Sequence, residues 1–194
     1  VPVAVAGHSF GEITALTAAG VLDQDDFLRV ARERGELMGS CREPGAMTAV
    51  AATLDRVREA VGRTGAEVVV ANHNAPEQVV LSGSVAAVER VEAALAAEGL
   101  SVRRLPVATA FHSPIVAEAV APFASFLDGI PFSSPRLPVF ANAEAAVYPN
   151  DPEAMRALLS GSIARPVRFV EEVEAMVASG VRTFVEVGPG AVLT

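Results

Sequence analysis

A chain of 194 residues that is 51% hydrophobic and 20% charged can fill one substantial domain, or a large domain carrying a smaller insertion, and is not expected to be disordered. Its formal net charge of −8, with Arg103-Arg104 as the densest basic spot, opposes a polyphosphate partner, so nucleic acid is not an expected ligand. A single cysteine, Cys41, rules out an internal disulfide and a thiolate zinc site, no metal site is expected, and no apolar run is long enough to cross a bilayer, so a cytoplasmic setting is expected.

Residues 3–6 predict a short strand that runs into Gly7-His8-Ser9-Phe10-Gly11. A helix follows to about residue 20. A second opens at residues 21–23 and runs to about 39, with Asp23 as N-cap and Asp25 and Asp26 favouring the positive end of its dipole. The rhythm then changes. Residues 47–52 read as a strand and 54–61 as a helix. Two strands follow at 67–71 and 78–82, separated by the polar turn Asn72-His73-Asn74-Ala75-Pro76. An amphipathic helix over 85–98 closes at Gly99, and a last strand covers 102–107. That β-α-β-β-α-β order is the split βαβ or ferredoxin-like arrangement, so residues 45–107 are expected to be an inserted small subdomain.

The larger unit, residues 1–44 and 108–194, resumes with a helix over 113–127, a strand at 137–141, helices at 152–160 and 170–179, and a strand at 182–187 ending in Gly188-Pro189-Gly190. Strands alternating with helices on both sides of the insertion predict an α/β fold with a mostly parallel sheet. Aromatics make up only 5% of residues, and a core of Val, Ala and Leu suits that sheet. The apolar start lacks a basic leader and reads as a strand cut at its beginning. Both ends are expected to be interior points of a longer protein.

Gly7-His8-Ser9-Phe10-Gly11 fits G-x-S-x-G, the sharp strand-to-helix turn that presents a serine hydroxyl at a helix N-terminus. A chain of this length shows the pattern by chance roughly once in fifteen cases, so the flanking strand and helix carry the weight. The Phe10 N–H is the expected oxyanion-hole donor. Of three histidines, His8 adjoins the serine and is expected to point away from it, and His73 lies in the insertion. His112 sits where the chain returns to the larger unit and is the candidate base.

Taken in order, Gly7-His8-Ser9-Phe10-Gly11-Glu12, Arg34 in Arg32-Glu33-Arg34-Gly35, Gly45-Ala46-Met47, Ala110-Phe111-His112-Ser113, Arg165-Pro166-Val167-Arg168-Phe169 and Glu186-Val187-Gly188-Pro189-Gly190 resemble the acyltransferases of fatty acid and polyketide synthesis. That family comprises the malonyl-CoA:acyl carrier protein transacylases and the equivalent polyketide synthase domains. The resemblance implies an α/β-hydrolase-like large subdomain with the ferredoxin-like insertion, and a Ser9–His112 dyad. It implies that the histidine is oriented by a main-chain carbonyl at Ser162 and that Arg34 pairs with the substrate's free carboxylate. Phe111 resembles the residue that goes with malonyl selection, and His8 and Asn74 complete the implied substrate-binding set. Asn72 and Asn74 keep two readings, pocket lining or turn capping. The implied substrates are malonyl-CoA and carrier phosphopantetheine, with no tightly bound cofactor. The implied partners are an acyl carrier protein and other polyketide synthase domains, with no membrane. The motif combination looks most like the iterative enediyne and polyunsaturated fatty acid synthases. The family's G-Q-G segment, which supplies a second oxyanion donor, has no counterpart in these residues. A serine esterase or thioesterase and a non-catalytic docking module are the alternatives.

Overall fold

The computed structural model describes residues 1–188, Gly190 and Leu193. After an extended start, α1 (Gly11–Ala18) and α2 (Gln24–Gly39) follow, then β1 (Gly45–Ala51), α3 (Leu54–Thr64), β2 (Val68–Ala75), β3 (Gln78–Ser84), α4 (Val85–Ala97) and β4 (Ser101–Arg104). A 3-10 helix (Pro114–Ala119) leads into α5 (Val120–Asp128), then β5 (Phe140–Ala141), β6 (Ala146–Val147), α6 (Pro152–Ser162) and α7 (Phe169–Ala178).

The element order is that of a mixed α/β fold. Side-chain caps fix several helix starts: Asp23 accepts from the Asp26 N–H, Ser84 from Ala87 and Asp151 from Ala154. Gly65 and Gly99 end α3 and α4 with φ of +60° and +76°, a conformation that costs glycine nothing. Pro122 would break one continuous helix over 113–127. The chain instead runs as a 3-10 turn to Ala119 and restarts as α5, with Pro122 in the first turn, where its missing N–H is not needed.

β1 to β4 form one antiparallel sheet in the order β2-β3-β1-β4. Val50, Val79 and Leu81 of its inner face pack on Val57 of α3 and on Val91 and Leu95 of α4, giving this sheet and its two helices a small core of their own. The other core gathers Ile13, Leu16, Val30, Phe123, Leu127, Met155 and Leu159 from α1, α2, α5 and α6. Main-chain bonds tie the two together: Gly45 N–H to Ala108 O, His73 N–H to Val167 O, and Val167 N–H to Ala71 O.

Besides the broken helix over 113–127, the fold departs from the sequence expectations at several places, the first being that residues 3–6 hold only an isolated bridge at Val5 in place of a strand. Asn72, His73 and Asn74 are strand residues of β2, because Pro76-Glu77 alone make the turn to β3. β4 ends at Arg104, where the chain leaves the sheet after Leu105 donates to the Met47 carbonyl. Residues 182–187 form no strand: Val185 and Val187 are 79% and 93% exposed, and a strand needs a neighbour to pair with. Pro189 of the turn expected after them lies outside the described residues. Parallel pairing among the described residues is confined to two isolated bridges, Val5–Val139 and Asn72–Val167, in place of a mostly parallel sheet. No helix of the described residues is long and apolar enough to cross a membrane.

Candidate active site

The turn after the Val5–Val139 bridge is built around two unusual backbone positions. Ser9 adopts φ +53°, and no Cβ fits on Gly7, which lies against the Gly11 carbonyl and the Glu12 nitrogen. Gly11, Glu12 and Ile13 then donate back to His8, Ser9 and Phe10 to start α1. Ser9 is thereby lifted to the N-terminal end of that helix.

His112 reaches the serine from the segment after β4. It too is left-handed, with φ +57°, and only 4% exposed. Its Nε2 lies 2.7 Å from Ser9 Oγ. Its Nδ1 faces two main-chain carbonyls, Arg165 O at 2.9 Å and Ser162 O at 3.2 Å. A carbonyl only accepts, so Nδ1 carries the proton and Nε2 is the free lone pair toward which the serine hydroxyl donates. Burial first, then the nearby Arg34 guanidinium, lowers the His112 pKa to about 4. The imidazole is neutral at neutral pH and able to take a proton.

Arg34 projects from α2, and its Nη2 donates to Ser9 Oγ at 3.2 Å. Burial lowers its pKa while Glu12 acts to raise it, and a guanidinium stays charged at any working pH. His8 turns to Asn74, with Nε2 2.7 Å from Oδ1, and packs edge-on to Phe169 at 5.4 Å. Phe10 is 44% exposed and meets Phe27 edge-to-face. Phe111 is half-buried between the large core and the Met47, Ala71 and Val80 cluster of the sheet.

The structure also gathers polar groups that the sequence reading did not single out. Asn142, 1% exposed just after β5, accepts from the Ser9 N–H through Oδ1 at 2.6 Å. Its Nδ2 donates to Gly7 O and to Glu172 Oε2, both at 2.7 Å. Its own N–H donates to Glu12 Oε1 at 3.0 Å, which also accepts from the Tyr148 hydroxyl. Burial raises Glu12 to a pKa of about 7, and burial together with Glu12 raises Glu172 to about 8. Among the described residues, no group of three or more His, Cys, Asp or Glu could hold a metal ion.

A neutral imidazole on a serine hydroxyl, beside a fixed cation, is equipped to form an ester at Ser9 from an acyl donor that carries negative charge. Comparison with known proteins gives the same direction. The model of the family described as the acyl transferase domain matches residues 1–194. The chain is 40% identical over 190 residues to polyketide synthase GfsA of Streptomyces halstedii, covering 98% of this chain and 2% of that protein. It is 36% identical over 197 residues to the malonyl CoA-acyl carrier protein transacylase of Bacillus subtilis, covering 97% of this chain and 62% of the relative. Among solved structures, a malonyl-transacylase in complex with its type II polyketide synthase acyl-carrier protein superposes with a TM-score of 0.87 at 34% identity, covering 93% of this chain and 60% of that one. The chain therefore spans less than two thirds of the length of each of these relatives.

Proposed function

The chain belongs to the acyl transferase domain family, and from that premise we propose that it moves a malonyl group from coenzyme A to the phosphopantetheine thiol of an acyl carrier protein through an acyl-Ser9 intermediate. One observation carries the reading. Ser9 Oγ lies 2.7 Å from an imidazole nitrogen that can only accept, with the Arg34 guanidinium 3.2 Å from the same oxygen.

In the first half-reaction Ser9 Oγ attacks the thioester carbonyl as its proton passes to Nε2 of His112. The carbonyls of Arg165 and Ser162 stabilise the imidazolium through Nδ1–H, and the Phe10 N–H faces the developing oxyanion. The C–S bond breaks, the proton goes to the departing sulfur, and coenzyme A leaves. In the second half the carrier thiol gives its proton to His112 and its sulfur attacks the acyl-serine. The C–Oγ bond breaks and the proton returns to Ser9. Arg34 pairs with the free carboxylate of malonyl in both halves. Phe111 limits the acyl side, where one methyl is worth about 1–3 kcal/mol of discrimination. His8 and Asn74 line the same side as a bonded pair. The proposal uses the chain's own groups for every proton and needs no bound cofactor.

Within this reading residues 1–44 and 108–194 form the α/β-hydrolase-like catalytic unit and 45–107 the ferredoxin-like one, with other polyketide synthase domains as further partners. A thioesterase would use water as acceptor, and the main-chain orientation of His112 together with Arg34 at the serine favours the transferase. The test is a chase of pre-acylated protein. Loss of the acyl group to a holo-carrier protein far faster than to buffer supports transfer. Equal loss with and without carrier would make the protein a hydrolase.

A further inference from the structure

Ser9 sits in a backbone conformation that costs an ordinary L-residue about 1–2 kcal/mol, so something must hold it there. The extended segment before it begins a parallel pairing: Val5 N–H donates to Pro138 O, and Phe140 N–H donates to Val5 O. Beyond that point the partner chain turns away. Gly7 C=O and Ser9 N–H, further along the same edge, are instead met by the Nδ2 and Oδ1 of Asn142 at 2.7 and 2.6 Å. A carboxamide is a planar unit with one donor edge and one acceptor edge, as a peptide is. The side chain continues the ladder where the main chain cannot. Its second Nδ2 hydrogen goes to Glu172 Oε2, its own N–H to Glu12 Oε1, and its own carbonyl accepts from the Arg168 N–H. Every polar group of this buried residue is thus engaged, four of its bonds with the elbow or its backing carboxyls.

We propose that Asn142, backed by Glu172, is the positioning residue that holds Ser9 in its reactive conformation by standing in for a strand neighbour of Gly7 and Ser9. Asn142 touches no reacting atom; it acts through the Ser9 backbone. The role requires a donor and an acceptor on one planar group. An aspartate would turn the donor edge toward Gly7 O and Glu172 into an acceptor, in a site faced also by Glu12, Tyr148, Arg34 and His112. The inference rests on the reading of Ser9 as nucleophile, but not on malonyl or on a carrier protein.

The experiment compares the intact protein with Asn142→Asp and Asn142→Ala. Two readouts are followed: the labelling rate of Ser9 by a fluorophosphonate serine probe, and the hydrogen exchange of the Ser9 amide. Asn142→Asp is expected to label about 10- to 100-fold more slowly at about pH 8. It should recover as the pH falls toward about 6, because protonation returns one O–H donor to the new carboxyl. Asn142→Ala stays slow throughout, and Ser9 amide exchange speeds up in both. Should Asn142→Asp not fold, Glu172→Met serves instead: it removes one acceptor from the amide, and Ser9 exchange should rise several-fold. Labelling of the variants within about two-fold of the parent, or a Ser9 amide as protected as before, overturns the proposal. An unlabelled parent protein would instead refute Ser9 as nucleophile.

Discussion

The two glycines of Gly7-His8-Ser9-Phe10-Gly11 look equivalent in the motif, and the structure makes them unequal. A methyl group on Gly7 would overlap the carbonyl of Gly11 and crowd the nitrogen of Glu12, both backbone atoms at the start of α1 that cannot swing aside. A methyl on Gly11 meets nothing within 4 Å. Overpacking of this kind costs about 1–3 kcal/mol where side chains can yield, so Gly7→Ala should reach about 3 kcal/mol or more. Gly11→Ala should be neutral or stabilise by up to about 1 kcal/mol, since alanine loses less entropy in a helix. At roughly 2–4 °C per kcal/mol for a domain of this size, Gly7→Ala should melt at least about 6 °C below the parent, and Gly11→Ala level with it or a few degrees above. Thermal and urea denaturation of the two variants side by side is the assay. Equal destabilisation by both, or a tolerated Gly7→Ala, would refute the tight-turn argument.

The acid limb of the acylation rate should fall with a midpoint near pH 4, where burial and Arg34 hold His112, instead of 6.5, read from kcat/KM against pH. Arg34→Ala should slow acylation by malonyl-CoA about 10- to 100-fold without lowering the already slow acylation by acetyl-CoA, with little recovery in Arg34→Lys. The same Arg34→Ala variant should move the acid limb upward, because the guanidinium is one of the two main causes of the low His112 value. Glu12 and Glu172, raised to about 7 and about 8 from 4.5, bind protons in the folded state that the unfolded chain has released, so stability should drop as pH rises through 7 and 8. The contribution is at most about 1.4 kcal/mol per pH unit for each group. His112, whose unfolded value is 6.5, adds only an opposing slope that fades as pH rises above that value, and urea midpoints of the parent and Glu172→Gln over this window check the sign.

The helix positions were legible wherever caps and apolar spacing coincide, as at Asp23 before α2 and Gly99 after α4. Ser9, His112 and Arg34, quoted from three separate motifs, meet within hydrogen-bonding distance of one oxygen. The strand content was less legible. Asn72, His73 and Asn74 have turn-like composition, but a two-residue turn at Pro76-Glu77 leaves them in β2, where Asn72 is buried and Asn74 reaches His8. The expectation at Ser162 named one of the two carbonyls on His112; the shorter bond, to Arg165 O, has no side-chain signature to read. Glu172 looks like one more acid among Glu171 and Glu174, yet it lies four residues before Met176 on the buried stripe of α7. A carboxyl at an apolar helical position was the available signal. Asn142 offered none, because its partners lie 130 to 135 residues away at the elbow and 30 residues away at Glu172.

The central claim, an acyl-serine at Ser9 with a carboxylate-bearing acyl group, is tested most directly by intact-protein mass spectrometry. The protein is exposed briefly to malonyl-CoA, methylmalonyl-CoA or acetyl-CoA, with Ser9→Ala as control. The account predicts a malonyl adduct, little acetyl adduct, and none of either on Ser9→Ala. Equal labelling by acetyl-CoA would contradict the role of Arg34, and an adduct that persists in Ser9→Ala, or no adduct from any donor, would contradict the acyl-serine itself.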